Sequence, residues 1–100
     1  MEISVNKAGE KLAVVLEGRL DTNTSPELES SLKANLEGVT DLVIDLSAVQ
    51  YVSSAGLRVI LFAQKEMTKA AGTLKVLHPN DYIMDVFEAT GFTDIIDIER

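Results

Sequence analysis

Two adjacent serines, Ser53 and Ser54, followed by Ala55 and Gly56, are the residues best suited by type and spacing to do chemistry. They stand between a strand-like run and the longest helix-forming stretch of the chain. One serine is expected to cap that helix, its hydroxyl accepting a bond from an orphan backbone N–H. The other is then displayed at the positive end of the helix. A hydroxyl there can carry a phosphoryl group at little local cost, because free N–H groups and the macrodipole favour an anion. Arg58 follows Ser54 at i,i+4, the spacing at which a helical cation meets such a phosphate. Ala55 and Gly56 are small enough for a partner's backbone to approach closely.

Other chemistry finds less support. There is no glycine-rich phosphate loop, no G-x-S-x-G elbow and no paired histidines. The sole histidine, His78, precedes Pro79 and reads as an exposed turn residue rather than a general base. Asp21, Asp41, Asp45, Asp81, Asp85, Asp94 and Asp97 are spread over loops and element ends, where carboxylates cap and solubilise. No metal site and no cofactor are expected.

The elements that must position the serines follow from periodicity. Ile3 and Val5 alternate with polar residues and suggest a half-buried strand, turned into a hairpin by Lys7–Glu10. Leu12–Leu16 is apolar throughout, as in a strand covered on both faces, and Gly18 should end it before a polar loop, Arg19–Asn23. A helix then starts with either a Thr24/Glu27 capping box or a Ser25 cap followed by Pro26. Leu28, Leu32 and Leu36 form its apolar stripe, and Gly38 stops it. Asp41–Leu46 is the next strand, joined by a short polar link to a helix with Leu57, Ile60, Leu61 and Ala71 on one face. Val59, Phe62 and Ala63 widen that face, and Gly72 terminates the helix. Leu74–Leu77 reads as a strand. His78–Asp81 breaks it and caps a helix carrying Ile83, Val86 and Phe87, which Gly91 ends. Ile95, Ile96 and Ile98 suggest a terminal strand or extended tail.

Strands alternating with helices imply parallel β-α-β units with right-handed crossovers. The predicted fold is α/β: one domain over residues 1–100, with a mixed, mostly parallel sheet of four or five strands. An N-terminal β-hairpin opens it, and about three main helices pack largely on one face. With 46% apolar and 25% charged residues, the balance is that of a soluble globular protein. The formal charge is −7 and no basic cluster exists, which argues against direct nucleic-acid binding and against an anionic membrane surface. No cysteine is present, so no disulfide framework or thiolate chemistry arises. The start of the chain lacks a signal-peptide pattern, and the apolar run Val59–Ala63 is far below the roughly 20 residues of a membrane span. A cytoplasmic protein is expected. A monomer is the simplest expectation, with dimerisation through the open sheet face or an edge strand left open.

The segments Gly18–Asp21, Val43–Val49 and Tyr51–Val59 together resemble the bacterial anti-sigma-factor antagonists of the STAS domain family. The resemblance extends over essentially the whole chain. It implies that Ser54 is a phosphoacceptor, and that Ser53 stands where family members carry aspartate. It further implies a contact surface made of Asp21, Thr22, Asn23, Ser53, Ser54, Ala55, Gly56 and Arg58. By the same resemblance, the unphosphorylated protein binds an anti-sigma factor that is itself a serine kinase, and so frees a sigma factor for RNA polymerase. Phosphorylation of Ser54 breaks the complex and a metal-dependent serine phosphatase restores it. Such a protein is a substrate and a switch, not an enzyme. One alternative is a STAS subunit serving as constitutive structural partner of a lipid-transport ABC ATPase complex. A hydrolase using Ser54 as nucleophile and His78 as base is disfavoured, because no third group is evident to orient the imidazole.

Overall fold

The computed structural model describes all residues, Met1–Arg100. Five strands lie side by side in chain order, β1 (Glu2–Ala8), β2 (Lys11–Leu20), β3 (Asp41–Val52), β4 (Thr73–Leu77) and β5 (Asp97–Glu99). The β1–β2 hairpin is antiparallel and every later pairing is parallel. Helices α1 (Ser25–Asn35), α2 (Ser54–Lys69) and α3 (Asp81–Thr90) make the crossovers. Each parallel strand is added beside its predecessor in the same direction. Right-handed crossovers therefore place all three helices on one face of the sheet.

Burial follows that geometry. Leu12, Val14 and Leu16 of β2, Leu42, Ile44 and Leu46 of β3, and Leu74 and Val76 of β4 are buried beneath the helices. The alternating residues Ala13, Val43, Asp45 and Lys75 are only half-buried, and Val15 is 41% exposed. The double coverage expected of Leu12–Leu16 is therefore not found; its uninterrupted apolar run hides a one-sided strand. The edge strand β1 is likewise wetter than expected, with Ile3 half-buried and Val5 exposed.

The central strand departs most from its expected length. It does not stop at Leu46 but continues to Val52, and β2 continues through Gly18 to Leu20. Two register shifts explain why this was hidden. Val15 opposes Asp45 but Glu17 opposes Ala48, and Gly18 opposes Val49 but Arg19 opposes Tyr51. Each shift is a bulge that inserts one extra residue into β3. The core-facing positions consequently run Leu46, Val49, Val52, a spacing of three that no longer looks like a strand. Gly18 does not break β2; it adopts φ +113° next to the second bulge, a conformation suited to glycine.

Helix α2 buries Gly56, Leu57, Val59, Ile60, Ala63 and Met67, while Leu61 is half-buried. Ala71 lies beyond the helix in the left-handed region and is exposed, and Met67 occupies the place expected of it. Gly72 is required for space. A Cβ there would come within 2.4 Å of the Thr40 carbonyl oxygen, which accepts the Thr73 N–H at 2.9 Å. In α3 the buried residues are Ile83 and Phe87, and Phe87 stacks on Phe92 of the one-turn 3-10 helix Phe92–Asp94. Ile98 belongs to β5, Ile96 is buried and Ile95 is exposed.

Substituting Gly72→Ala should lower stability by about 1–3 kcal/mol, because the added methyl meets backbone that cannot rotate away. Urea unfolding measures it. A midpoint equal to wild type would mean that the start of the β3–β4 pairing is free to shift.

Candidate functional site

The joint before α2 is built on the last residue of β2. The Leu20 carbonyl accepts the Ser53 N–H at 2.8 Å, so the chain leaving β3 is tied to β2 as the helix begins. Gly56 then packs on the same residue, where a Cβ would lie 2.7 Å from Leu20 Cγ and 3.0 Å from its carbonyl oxygen. The smallness of Gly56 thus serves internal fit. Its expected role in clearing surface for a partner is not supported by its position, since it is buried; Ala55 is the small residue that remains partly open there.

Ser53 and Ser54 are separated in role by backbone conformation. Ser53 is extended, with φ −90° and ψ 175°, and its hydroxyl oxygen accepts the Gly56 N–H at 3.4 Å, while its carbonyl accepts the Leu57 N–H at 3.0 Å. It is the N-cap. Ser54 is the first residue of α2 and is exposed. Arg58, one turn on, is also exposed.

The loop after β2 folds around Asp21. One carboxylate oxygen, Oδ1, accepts the backbone N–H of Asn23 at 3.0 Å and of Thr24 at 3.1 Å. The Thr24 hydroxyl accepts the Asp21 N–H at 2.9 Å and donates to the Arg19 carbonyl at 2.6 Å. The Ser25 hydroxyl donates to the Asp21 carbonyl at 2.5 Å. Neither of the two expected caps of α1 therefore forms. Thr24 occupies the N-cap position with helical φ, and its hydroxyl is spent on the loop behind it. Chiefly the Thr24 backbone N–H, and then the Asn23 N–H and the Arg19 charge, hold the Asp21 carboxyl below its ordinary 3.8, against desolvation, which is smaller than the Thr24 effect but larger than each of the others.

Loop and joint meet in space. Thr22, Ser25, Pro26 and Glu29 from the α1 side and Ala55, Arg58 and Val59 from α2 line an open cleft of about 270 Å³. Asp21 and Asn23 flank Thr22 in the loop, with Asn23 exposed. His78 lies at the end of β4, exposed, with φ 55° and its backbone N–H donated to the Glu99 carbonyl. No group of three or more His, Cys, Asp or Glu side chains is clustered to hold a metal ion.

Several long-range contacts at this end of the sheet were not legible beforehand. Asn80 caps α3 by accepting the Ile83 N–H at 2.8 Å, and its Nδ2 donates to the carbonyls of Val49 and Gln50 at the second bulge. Arg19 lies over the Tyr51 ring, and Tyr51 stacks on Tyr82. The Pro79-Asn80 breaker before α3 signalled the cap; nothing in the spacing signalled the bond to the bulge or the aromatic stack.

Residues 2–100 match the family described as the STAS domain. The chain is 32% identical over 98 residues to the anti-sigma-B factor antagonist of Bacillus subtilis, covering 98% of this chain and 90% of that one. Among solved structures, an anti-sigma factor antagonist from Mycobacterium paratuberculosis aligns with a TM-score of 0.86 at 25% identity, over 98% of this chain and 84% of that one. The Bacillus cell fate determinant SpoIIAA in its phosphorylated form shares the fold, with a TM-score of 0.78 at 18% identity over 97% and 90% of the two chains.

Removing the two hydroxyls should have unequal effects. Ser53→Ala is expected to lose about 0.5–1 kcal/mol of stability with its cap, and Ser54→Ala to stay within about 0.5 kcal/mol of wild type. Chemical denaturation of both variants checks this, and equal losses would contradict the separation of roles. The Asp21 carboxyl should titrate below 3.8 by carbon NMR. Because its folded value is lowered, its contribution to stability is present above about pH 4 and disappears as pH falls through the folded value. A midpoint at or above 3.8 would rule out the folded loop as described.

Proposed function

This chain belongs to the STAS domain family, and we propose that it is an anti-sigma-factor antagonist switched by phosphorylation of Ser54. In its unphosphorylated form it binds an anti-sigma factor that is also a serine kinase, in the cytoplasm, and the sigma factor is released. The kinase phosphorylates Ser54, the complex dissociates, and a serine phosphatase resets the protein. The protein catalyses nothing itself. The observation that supports this most strongly is the exposed Ser54 at the first helical position, directly after a serine that already caps the helix.

The physics of the site suits a reversible anion. A phosphate on Ser54 would add about −1.5 to −2 charges beside the free N–H groups of the first turn, where the macrodipole favours them. Arg58 stands at i,i+4 to share that charge. Ser53 carries no formal charge, so the acceptor has one anion fewer beside it than an aspartate at that position would supply. The fold should therefore tolerate the modification. A docked partner would not, because it must desolvate the new charge or face it with its own acidic groups. A loss of about 3 kcal/mol weakens an affinity by roughly two orders of magnitude.

The test is the intact mass of wild type, Ser53→Ala and Ser54→Ala after incubation with ATP and purified serine kinases of the histidine-kinase-like ATPase fold from the same genome. One added phosphate in wild type and Ser53→Ala, absent in Ser54→Ala, is expected. Phosphate retained by Ser54→Ala would move the acceptor. A stable complex with an ATPase and no phosphate in any variant would replace the switch with a constitutive transport partner.

A further inference from the structure

An aromatic cluster stands beside the joint, and the phosphate switch does not use it. The second bulge of β3 sets Tyr51 directly opposite Arg19. The guanidinium carbon of Arg19 lies 4.4 Å from the centre of the Tyr51 ring. That ring stacks in turn on Tyr82, with centroids 5.9 Å apart and planes inclined by 22°. The Arg19 side chain is 61% exposed and Tyr82 is 51% exposed, while Tyr51 between them is half-buried, so the two ends of the stack face solvent.

The cluster is held in place rather than merely adjacent. Asn80 caps the first turn of α3, which carries Tyr82, and its Nδ2 reaches the Val49 and Gln50 carbonyls of the bulged strand that carries Tyr51 through long bonds of 3.4 and 3.3 Å. Rigid tyrosines offer a large amphipathic surface and lose little conformational entropy on binding. Tyrosine and arginine are also the types that dominate the energetics of protein interfaces. The Arg19–Asp21 ion pair is loose at 3.9 Å, which leaves the planar guanidinium able to accept a carboxylate from outside. The cluster adjoins the joint through the chain itself. Arg19 precedes Leu20, whose carbonyl holds Ser53, and Tyr51 lies two residues before Ser53.

Resting on the partner-switching function proposed above, we infer that Arg19, Tyr51 and Tyr82 form a second anchor for the same protein partner that contacts Ser54. Arg19 receives an acidic side chain of that partner, and the exposed Tyr82 ring receives an apolar or aromatic one. The division of labour is physical: the stack supplies affinity, while Ser54 supplies a charge that can be added or removed.

Calorimetric titration of wild type, Tyr82→Ala, Arg19→Gln and Ser54→Glu with those purified kinases tests the anchor. Tyr82→Ala and Arg19→Gln should each bind about tenfold or more weakly, with unfolding midpoints near that of wild type because both side chains are exposed. Tyr82→Ala binding within about twofold of wild type, while Ser54→Glu fails to bind, would overturn the anchor and leave the switch standing. Absence of binding by wild type to every kinase would overturn both.

Discussion

The hydrogen bond from Ser53 N–H to the Leu20 carbonyl is the constraint on which the functional end of this molecule depends. It ends the pairing of β2 with β3 and starts α2 from the same point, so strand and helix share one anchor. Gly56 lets the first turn of α2 settle onto the Leu20 side chain, and Ser53 closes that turn with its hydroxyl. These contacts leave Ser54 facing outward. Its display is therefore a consequence of how its neighbours are bound, and no loop mobility is needed to present it.

A second network keeps the surroundings fixed without a hydrophobic core of its own. Between Asp21 and Ser25 the chain turns without an apolar side chain, and polar groups hold it instead. Asp21 gathers two backbone N–H groups on one oxygen, while the Thr24 and Ser25 hydroxyls bond to carbonyls behind them. A charged carboxylate is the strongest acceptor available for this purpose, which is why its ionised form is favoured here. The price of spending these side chains on the loop is that α1 begins without a side-chain cap.

Elements whose apolar residues keep a regular period were readable from the sequence. The face of Leu42, Ile44 and Leu46, the stripe of Leu28 and Leu32, and the Ile83–Phe87 pair all proved buried. Failures clustered where tertiary contacts override local pattern. Bulges turned the period of β3 from two to three and hid half of it. Gly56 looked like a surface clearing, whereas contact with Leu20, distant in sequence, demands it; Gly72 does follow the end of α2, but the Thr40 backbone is what requires its smallness. For the site, the two serines stood out by type, whereas the loop residues Asp21–Asn23 were placed there only by the family resemblance. Which serine caps, and that the Asp21 loop lies against α2, required the fold.

The strict side-by-side order of the strands also bears on how the chain assembles. From β2 to β5 each strand pairs with the one made immediately before it, so no segment must wait for a distant, later one to complete its sheet partner. Closure entropy is then confined to the length of a single crossover at each step. During synthesis the sheet can grow from the hairpin outward, in the direction of translation, with each helix covering the strands as it appears. The joint at Ser53 is complete once β3 and α2 have emerged, but Asn80, which braces the bulge beside it, arrives later. Newly made protein thus forms its central helix seat first and stiffens the neighbouring surface last.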